Sequence, residues 1–479
     1  MRPRSVCTVG DDRGGVTLQA AGSDVGSIDP ALSPAAFRVV NLYEPPHPDR
    51  SDHVRHALER LHARHGFDAI EFACQGGLGF RAIQAKRAGL AFQNVALIVR
   101  LDSCGEWERE REQRWPGGYE EVERDFMERF AFENADEHVI PNPAVWAFLR
   151  ERGWNAHTDE PPTPTPDAPL VTIAIAHYNL GQFLPETLAS LAEQTYRGLD
   201  VIVVDDGSTD AKSLAAFGAM QERYPQFRFL RQANAGIGAT RNRCLELALG
   251  EFFIPVDADN LARPDMVERF VAAIRRNPDL DAMTCYFLAF EESPGRPIYA
   301  HRPTGGPHAL AGIRNVYGDA NAIFRTGTLR EIGGYETDRG TSCEDWELFV
   351  KLVRAGKRIG VVPDHLFYYR QRPGGFSRTT NWFANHQRVM RQFGRPGTLA
   401  PEDSRVLWAA IIGFHQRIEQ LEAERRSRRY RFADGLHAAV GRLARFVRRR
   451  TWRTLDAPRP IGTAVPRPVP HLAIEPQHA

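Results

Sequence analysis

Apolar positions along this chain follow two alternating rhythms. Leu170-Val171-Thr172-Ile173-Ala174-Ile175-Ala176 is a near-continuous apolar run, as expected of a strand buried on both sheet faces. A helical pattern over 182–194 follows, then a second apolar strand at Val201–Val204. Helix 211–223, strand Phe227–Leu230, helix 237–249 and strand 252–256 continue the alternation. An earlier stretch behaves the same way. Strand Phe67–Phe72 leads through Gly76-Gly77-Leu78-Gly79 into a helix from Phe80 to Arg87, and strand Val95–Val99 precedes a long charged helix from Tyr119 to Asn134. Such alternation predicts parallel sheets with helices on both faces. Between the two stretches lies Asp159-Glu160-Pro161-Pro162-Thr163-Pro164-Thr165-Pro166, too rich in proline for a helix or a central strand.

The expected organisation is therefore an α/β protein of several parts. Residues 1–35 are expected to lack order, 37–156 to form a smaller Rossmann-like α/β domain and 157–168 a linker. Residues 169–395 form the main α/β domain, 400–455 are helical and arginine-rich, and 456–479 are a disordered tail. At 479 residues the chain suits two or three domains, and 42% hydrophobic with 25% charged residues is ordinary for a globular protein. A net charge of +1 argues against a protein that coats nucleic acid. The six cysteines are scattered without a Cys-x-x-Cys pair, which fits small core residues in a reducing compartment. No apolar run approaches the length of a membrane span, so a cytoplasmic protein is expected.

The chemistry sits where the apolar strands end. Strand 252–256 stops on Asp257-Ala258-Asp259-Asn260, and Val201–Val204 stops on Asp205-Asp206-Gly207-Ser208-Thr209-Asp210. The carboxyl edge of an α/β sheet is where ligands bind, and paired carboxylates there suit Mg²⁺ or Mn²⁺ gripping a diphosphate. A third pair, Glu344-Asp345, opens a predicted helix. Taken singly, each has a plainer reading: a solvated turn for Asp-x-Asp, capping for Asp205 and Asp210, helix-dipole complementation for Glu344-Asp345.

Seven motifs in order remove most of that ambiguity: His177-Tyr178-Asn179, Val204 to Asp210, Asn234-Ala235-Gly236 with Arg241-Asn242, Asp257-Ala258-Asp259, Ile332-Gly333-Gly334-Tyr335-Glu336, Glu344-Asp345-Trp346-Glu347-Leu348 and Tyr368-Tyr369-Arg370. With them, residues 170–393 resemble the inverting glycosyltransferase family two, which has the GT-A fold. The resemblance implies a nucleotide-diphosphate sugar donor, a divalent metal, Asp206 on the ring N–H of the base, and Asp259 as a direct metal ligand. It also implies Asp345 as the general base, which makes inversion a single displacement. Asp257 is expected to bind the metal through water or to hold the ribose, and Glu344 to orient Asp345 or raise its pKa. Tyr178 can stack on the base and Gly236 admits a close ligand. Arg241, Arg370 and Arg372 can bring positive charge to the diphosphate. Trp346 reads equally as a sugar platform or as core.

The flanks are less specific. Residues 37–156 resemble the acceptor half of a GT-B glycosyltransferase, but the donor half that should follow is absent, so an accessory role is expected. The Gly-Gly-Leu-Gly loop is no dinucleotide fingerprint. Residues 425–453 carry eleven arginines against one acid, Asp434, with apolar residues at helical spacing, a pattern suited to peripheral contact with an anionic membrane. The expected function is metal-dependent inverting transfer from a UDP- or dTDP-sugar to a glycan or lipid-linked glycan. The alternatives are a catalytically degenerate nucleotide- or glycan-binding scaffold and a nucleotidyltransferase, which would need a phosphate-cradling glycine loop that His177-Tyr178-Asn179-Leu180-Gly181 does not supply.

Overall fold

Two sheets organise the chain. The structure, a computed structural model, describes residues 6–12, 15–20, 23–28, 50–141, 143–155, 168–372, 374–375, 379–393, 417, 418 and 421. Those up to residue 393 belong to one compact unit, residues 1–415. The arginine-rich segment 425–453, the tail after it and all but the last residue of the proline-rich linker lie outside the described residues.

The first sheet gathers β1 (Val6–Asp12), β2 (Gly15–Ala20), β3 (Ser23–Ile28), β4 (Ala69–Ala73), β5 (Ala96–Arg100) and β6 (Glu137–Val139) in the order β3-β2-β1-β4-β5-β6. Its helices are α1 (Arg50–His65), α2 (Phe80–Arg87), α3 (Gly105–Arg111), α4 (Tyr119–Glu133) and α5 (Pro143–Glu151). The parallel pairing of β4, β5 and β6 follows the predicted strand–helix alternation. Residues 6–28 do not, since they were expected to lack order. Instead β1 pairs in parallel with β4, and Cys7 and Val9, two residues apart, are fully buried. Such a run is hard to see among glycines and aspartates, yet it supplies a partner for a β4 edge that would otherwise be open.

At the carboxyl edge of this sheet the buried Glu128 of α4 takes the backbone N–H of Gly76 on Oε1 (2.7 Å) and that of Gly105 on Oε2 (2.8 Å). Backbone N–H groups in such a place ordinarily cradle a bound anion. Here the chain supplies its own, and burial pushes that carboxyl up to about 7.

The second sheet holds β7 (Val171–His177), β8 (Leu199–Asp205), β9 (Arg228–Arg231), β10 (Phe252–Pro255), β11 (Leu261–Ala262), β12 (Ala282–Phe290), β13 (Tyr299–His301), β14 (Ile323–Arg325) and β15 (Ile359–Arg370). Its helices are α6 (Leu184–Ala192), α7 (Ala211–Arg223), α8 (Ile237–Leu247), α9 (Met266–Arg276), α10 (Thr326–Glu331), α11 (Glu344–Arg354) and α12 (Trp382–Phe393). The order is β11-β15-β12-β14-β10-β7-β8-β9, with β13 on β12. Strands β10, β7, β8 and β9 are parallel neighbours, and β14 runs antiparallel between β10 and β12. Val171, Ile173 and Ile175 pack into the core that includes α6, α7 and α9. Ala174 joins the opposite core with residues of α8 and α11. Both faces are covered, as the apolar run required. This is the mostly parallel, doubly covered α/β arrangement that the GT-A resemblance implies.

The two sheets meet through α2. Arg81 is buried and donates to the carbonyls of Pro303 (3.0 Å) and Arg302 (3.2 Å), while Gln84 reaches that of Thr304 (3.4 Å). No helix among the described residues is long and apolar enough to cross a membrane, and all six cysteines are free.

Candidate active site

The site forms where β7, β8 and β10 end on the same edge. Tyr178 leaves β7 at 45% exposure, its ring available to a flat partner. The next residue, Asn179, adopts a left-handed backbone (φ +52°). Its side-chain oxygen accepts from the N–H groups of Thr209 (2.9 Å) and Asp210 (3.0 Å), tying the β7 exit to the loop after β8. Asp205 is fully buried and bound to Ser208 and Arg231, a turn role. Asp210 caps α7 by accepting from Ser213 N at 2.8 Å, so turn-making and capping are what these two acids do.

Asp206 behaves differently. Its Oδ1 accepts from Gln232 Nε2 and Ala235 N, and its Oδ2 from Gly236 N, each at 2.8 Å. Oδ2 has capacity for one more donor. Gly236 sits at φ +93°, a backbone shape that side chains resist, and α8 starts at the following residue. Asp206 thereby fixes where α8 begins.

One turn into α8 is Arg241. It donates to Asp257 Oδ1 (2.6 Å) and to Glu344 Oε1 (2.8 Å), and lies 5.3 Å over the ring of Tyr335. The sequence suggested approach to a phosphate or a solvated charge; the guanidinium is instead buried and committed to two carboxylates. Burial opposes its charge, but Asp257 and Glu344 outweigh that and hold it protonated. The end of β10 and the start of α11 are thus joined through one side chain.

Asp345, beside Glu344, is half-buried, and its Oδ1 accepts from Trp346 N at 2.7 Å. Burial, then the charge of Glu344, push the Asp345 carboxyl up to about 7, with Arg241 pulling the other way. Trp346 itself is core: its indole N–H donates to the Ala311 carbonyl at 2.8 Å. Cys343, immediately before α11, is held at φ +69°, a strained shape for a non-glycine residue at a helix entry. A carboxylate that no motif flagged, Asp319, interacts electrostatically with Asp257 and Asp345, and burial with those charges raises its pKa well above the usual range. It sits in a loop with no helical or strand periodicity, so only its neighbourhood reveals it.

On the other side of Asp257, Asp259 is 9% exposed and pairs with Arg372 Nε at 2.6 Å. Burial and repulsion from Asp257 raise its pKa despite that arginine. Arg370 is a brace more than a free cation: it bonds Glu186 and the Asp259 carbonyl (3.0 Å), and its guanidinium lies against Phe183 (4.8 Å) and Phe290 (4.6 Å). The glycine loop that follows lies partly outside the described residues. Among the described residues no group of three or more His, Cys, Asp or Glu is placed to hold a metal. Two mutually repelling carboxylates still fit Mg²⁺ or Mn²⁺, which take one or two protein carboxylates and complete their shell with substrate phosphate and water.

The geometry thus brings together Asp257, Asp259, Glu344, Asp345 and Arg241, with Asp206 at the head of the connecting helix. A family profile described as glycosyl transferase family 2 matches residues 172–333, which contain the first four strand ends and stop before Glu344. The chain is 33% identical over 134 residues to the putative glycosyltransferase EpsH of Bacillus subtilis, covering 28% of this chain and 38% of that one. It is 27% identical over 225 residues to the glycosyltransferase GlyG of Streptococcus pneumoniae, covering 44% and 73%. Three bacterial relatives that are 30–38% identical are matched over only 33–43% of their length. Among solved structures, it aligns with a mannosyltransferase of Pyrobaculum calidifontis in complex with GDP-Man and Mn²⁺ at TM-score 0.43 and 23% identity, over 65% of this chain and 90% of that one.

Proposed function

We propose that this chain, which carries a glycosyltransferase family 2 domain, moves a sugar from a UDP- or dTDP-linked donor to a hydroxyl of a cell-surface glycan or its lipid-linked precursor, with inversion. The observation that supports this most is the Asp257–Arg241–Glu344 bridge. It ties the acidic end of β10 to Glu344, the chain neighbour of Asp345, which supports a common place for donor and base. Tyr178 and Asp206 border the place for the base, Asp206 keeping one lone pair of Oδ2 for a ring N–H. Asp259 and Asp257 would hold Mg²⁺ or Mn²⁺. When bound, that ion neutralises charge on the departing diphosphate. Arg372, already within reach of Asp259, adds positive charge on the same side.

Asp345 then takes the proton of the acceptor hydroxyl as its oxygen attacks the anomeric carbon opposite the diphosphate. A carboxyl near 7 suits this task, being ionised in a useful fraction yet basic enough to accept a proton. Glu344 supplies the charge that keeps it basic, and Arg241 holds Glu344 in place beside it. Release of nucleotide diphosphate from a panel of nucleotide sugars, with and without Mn²⁺, tests the proposal. Metal-dependent release that disappears in Asp345→Asn, with nucleotide binding retained, is the expected result. Wild-type release by both Asp345→Asn and Asp259→Ala would overturn the assignment.

A further inference from the structure

Helix α12 packs on the catalytic helix α11 and leaves an aromatic ledge uncovered. Trp382 is 57% exposed, Phe383 64% and Met390 48%. The ring of Trp382 lies 3.9 Å from that of His386, and His386 meets the edge of Trp346 at 5.2 Å. The ledge is fastened next to the base. Thr380, two residues before Trp382, donates to Ser342 Oγ at 3.0 Å, and Asn385 Oδ1 accepts from Ser342 N at 2.9 Å. Ser342 stands three residues ahead of Asp345.

We infer that Trp382, with Phe383 and His386, forms a subsite for the acceptor as an extended glycan, gripping sugar units beyond the one that reacts. This rests on the proposed transfer reaction and adds to it the place where the acceptor's further sugar units are held. A pyranose presents a face of C–H groups and a rim of hydroxyls. Indole and phenyl rings match the face, and the His386 imidazole and the exposed Gln387 amide suit the rim. Contiguous exposed apolar side chains on a folded surface mark a place where something binds. Charge argues for a neutral polymer over an anionic membrane. Both arginines of α12 are already paired: Arg388 with Glu347, and Arg391 with Glu347 and Asp338. Membrane-facing helices keep such charges free.

The test uses the full chain, fluorescently labelled, on an array of bacterial surface polysaccharides, with UDP affinity measured in parallel in the presence of Mn²⁺. Wild type is expected to retain a subset of glycans. Trp382→Ala should hold them about tenfold more weakly with UDP affinity unchanged, and Trp382→Phe should recover much of the loss. Equal retention by Trp382→Ala, or no glycan retained by wild type, overturns the inference. So does a change of oligomeric state in Trp382→Ala by light scattering, which would make a second copy the occupant, or reduced pelleting of the variant with anionic vesicles. Nucleotide-sugar hydrolysis by wild type reads the catalytic proposal separately, so each can fail alone.

Discussion

Among single residues, Asp345 carries the sharpest expectation. A carboxyl lifted to about 7 is protonated and idle below that value. Transfer should therefore rise about tenfold per pH unit up to near 7 and then level; a rate flat from pH 5 to 8 would remove Asp345 as the base. Asp206 and Asp259 could be singled out in the sequence because each follows an apolar strand, and Asp345 because it lies in an acid pair that opens a predicted helix. Arg241 was legible as a residue but not in its role. Its two partners lie 16 and 103 positions away, and only folding shows that both compete for one guanidinium.

At the level of elements, the pattern of apolar positions located β7, β8, β9 and β10 of the second sheet but not β11 to β15. Helix α7 spans 211–223 and α8 begins at 237, as the spacing predicts; Asp210 caps α7, and Gly236 at φ +93° marks the entry to α8. Strands β1 to β3 escaped notice: β1 pairs in parallel with β4, far along the chain, and β2 and β3 join it through antiparallel hairpins. Helix α12 shows what periodicity leaves out. Its attachment to α11 relies on Glu347, which is buried and accepts from Arg388, Arg391 and Gln392. Replacing Arg388 by Ala leaves a buried carboxylate short of its closest cation, which should cost about 3–5 kcal/mol. Urea unfolding would show it, and a loss under 1 kcal/mol would mean that Arg391 suffices alone.

For the whole molecule, the two sheets belong to one compact unit and meet across α2. Arg81 buries its charge against backbone carbonyls of 302–303, and Asn277 of the second sheet's region donates back to the Arg87 carbonyl at 3.0 Å. A fragment of residues 168–393 would leave those groups unpaired in the open. It should melt well below the full chain or aggregate, by circular dichroism and gel filtration, and equal melting would show the contact to be incidental. The Arg241 bridge reaches furthest. Once Asp257 shares its charge with a cation, Arg241 is freer to favour the ionised form of Asp345, so that carboxyl lets its proton go more readily. Thermodynamic reciprocity then makes ion uptake tighten as alkalinity rises. Titration calorimetry of Mn²⁺ with UDP, in buffers of unlike ionisation enthalpy, should record hydrogen ions expelled into solution, and an enthalpy indifferent to buffer would mean the two ends of the cleft are insulated from each other.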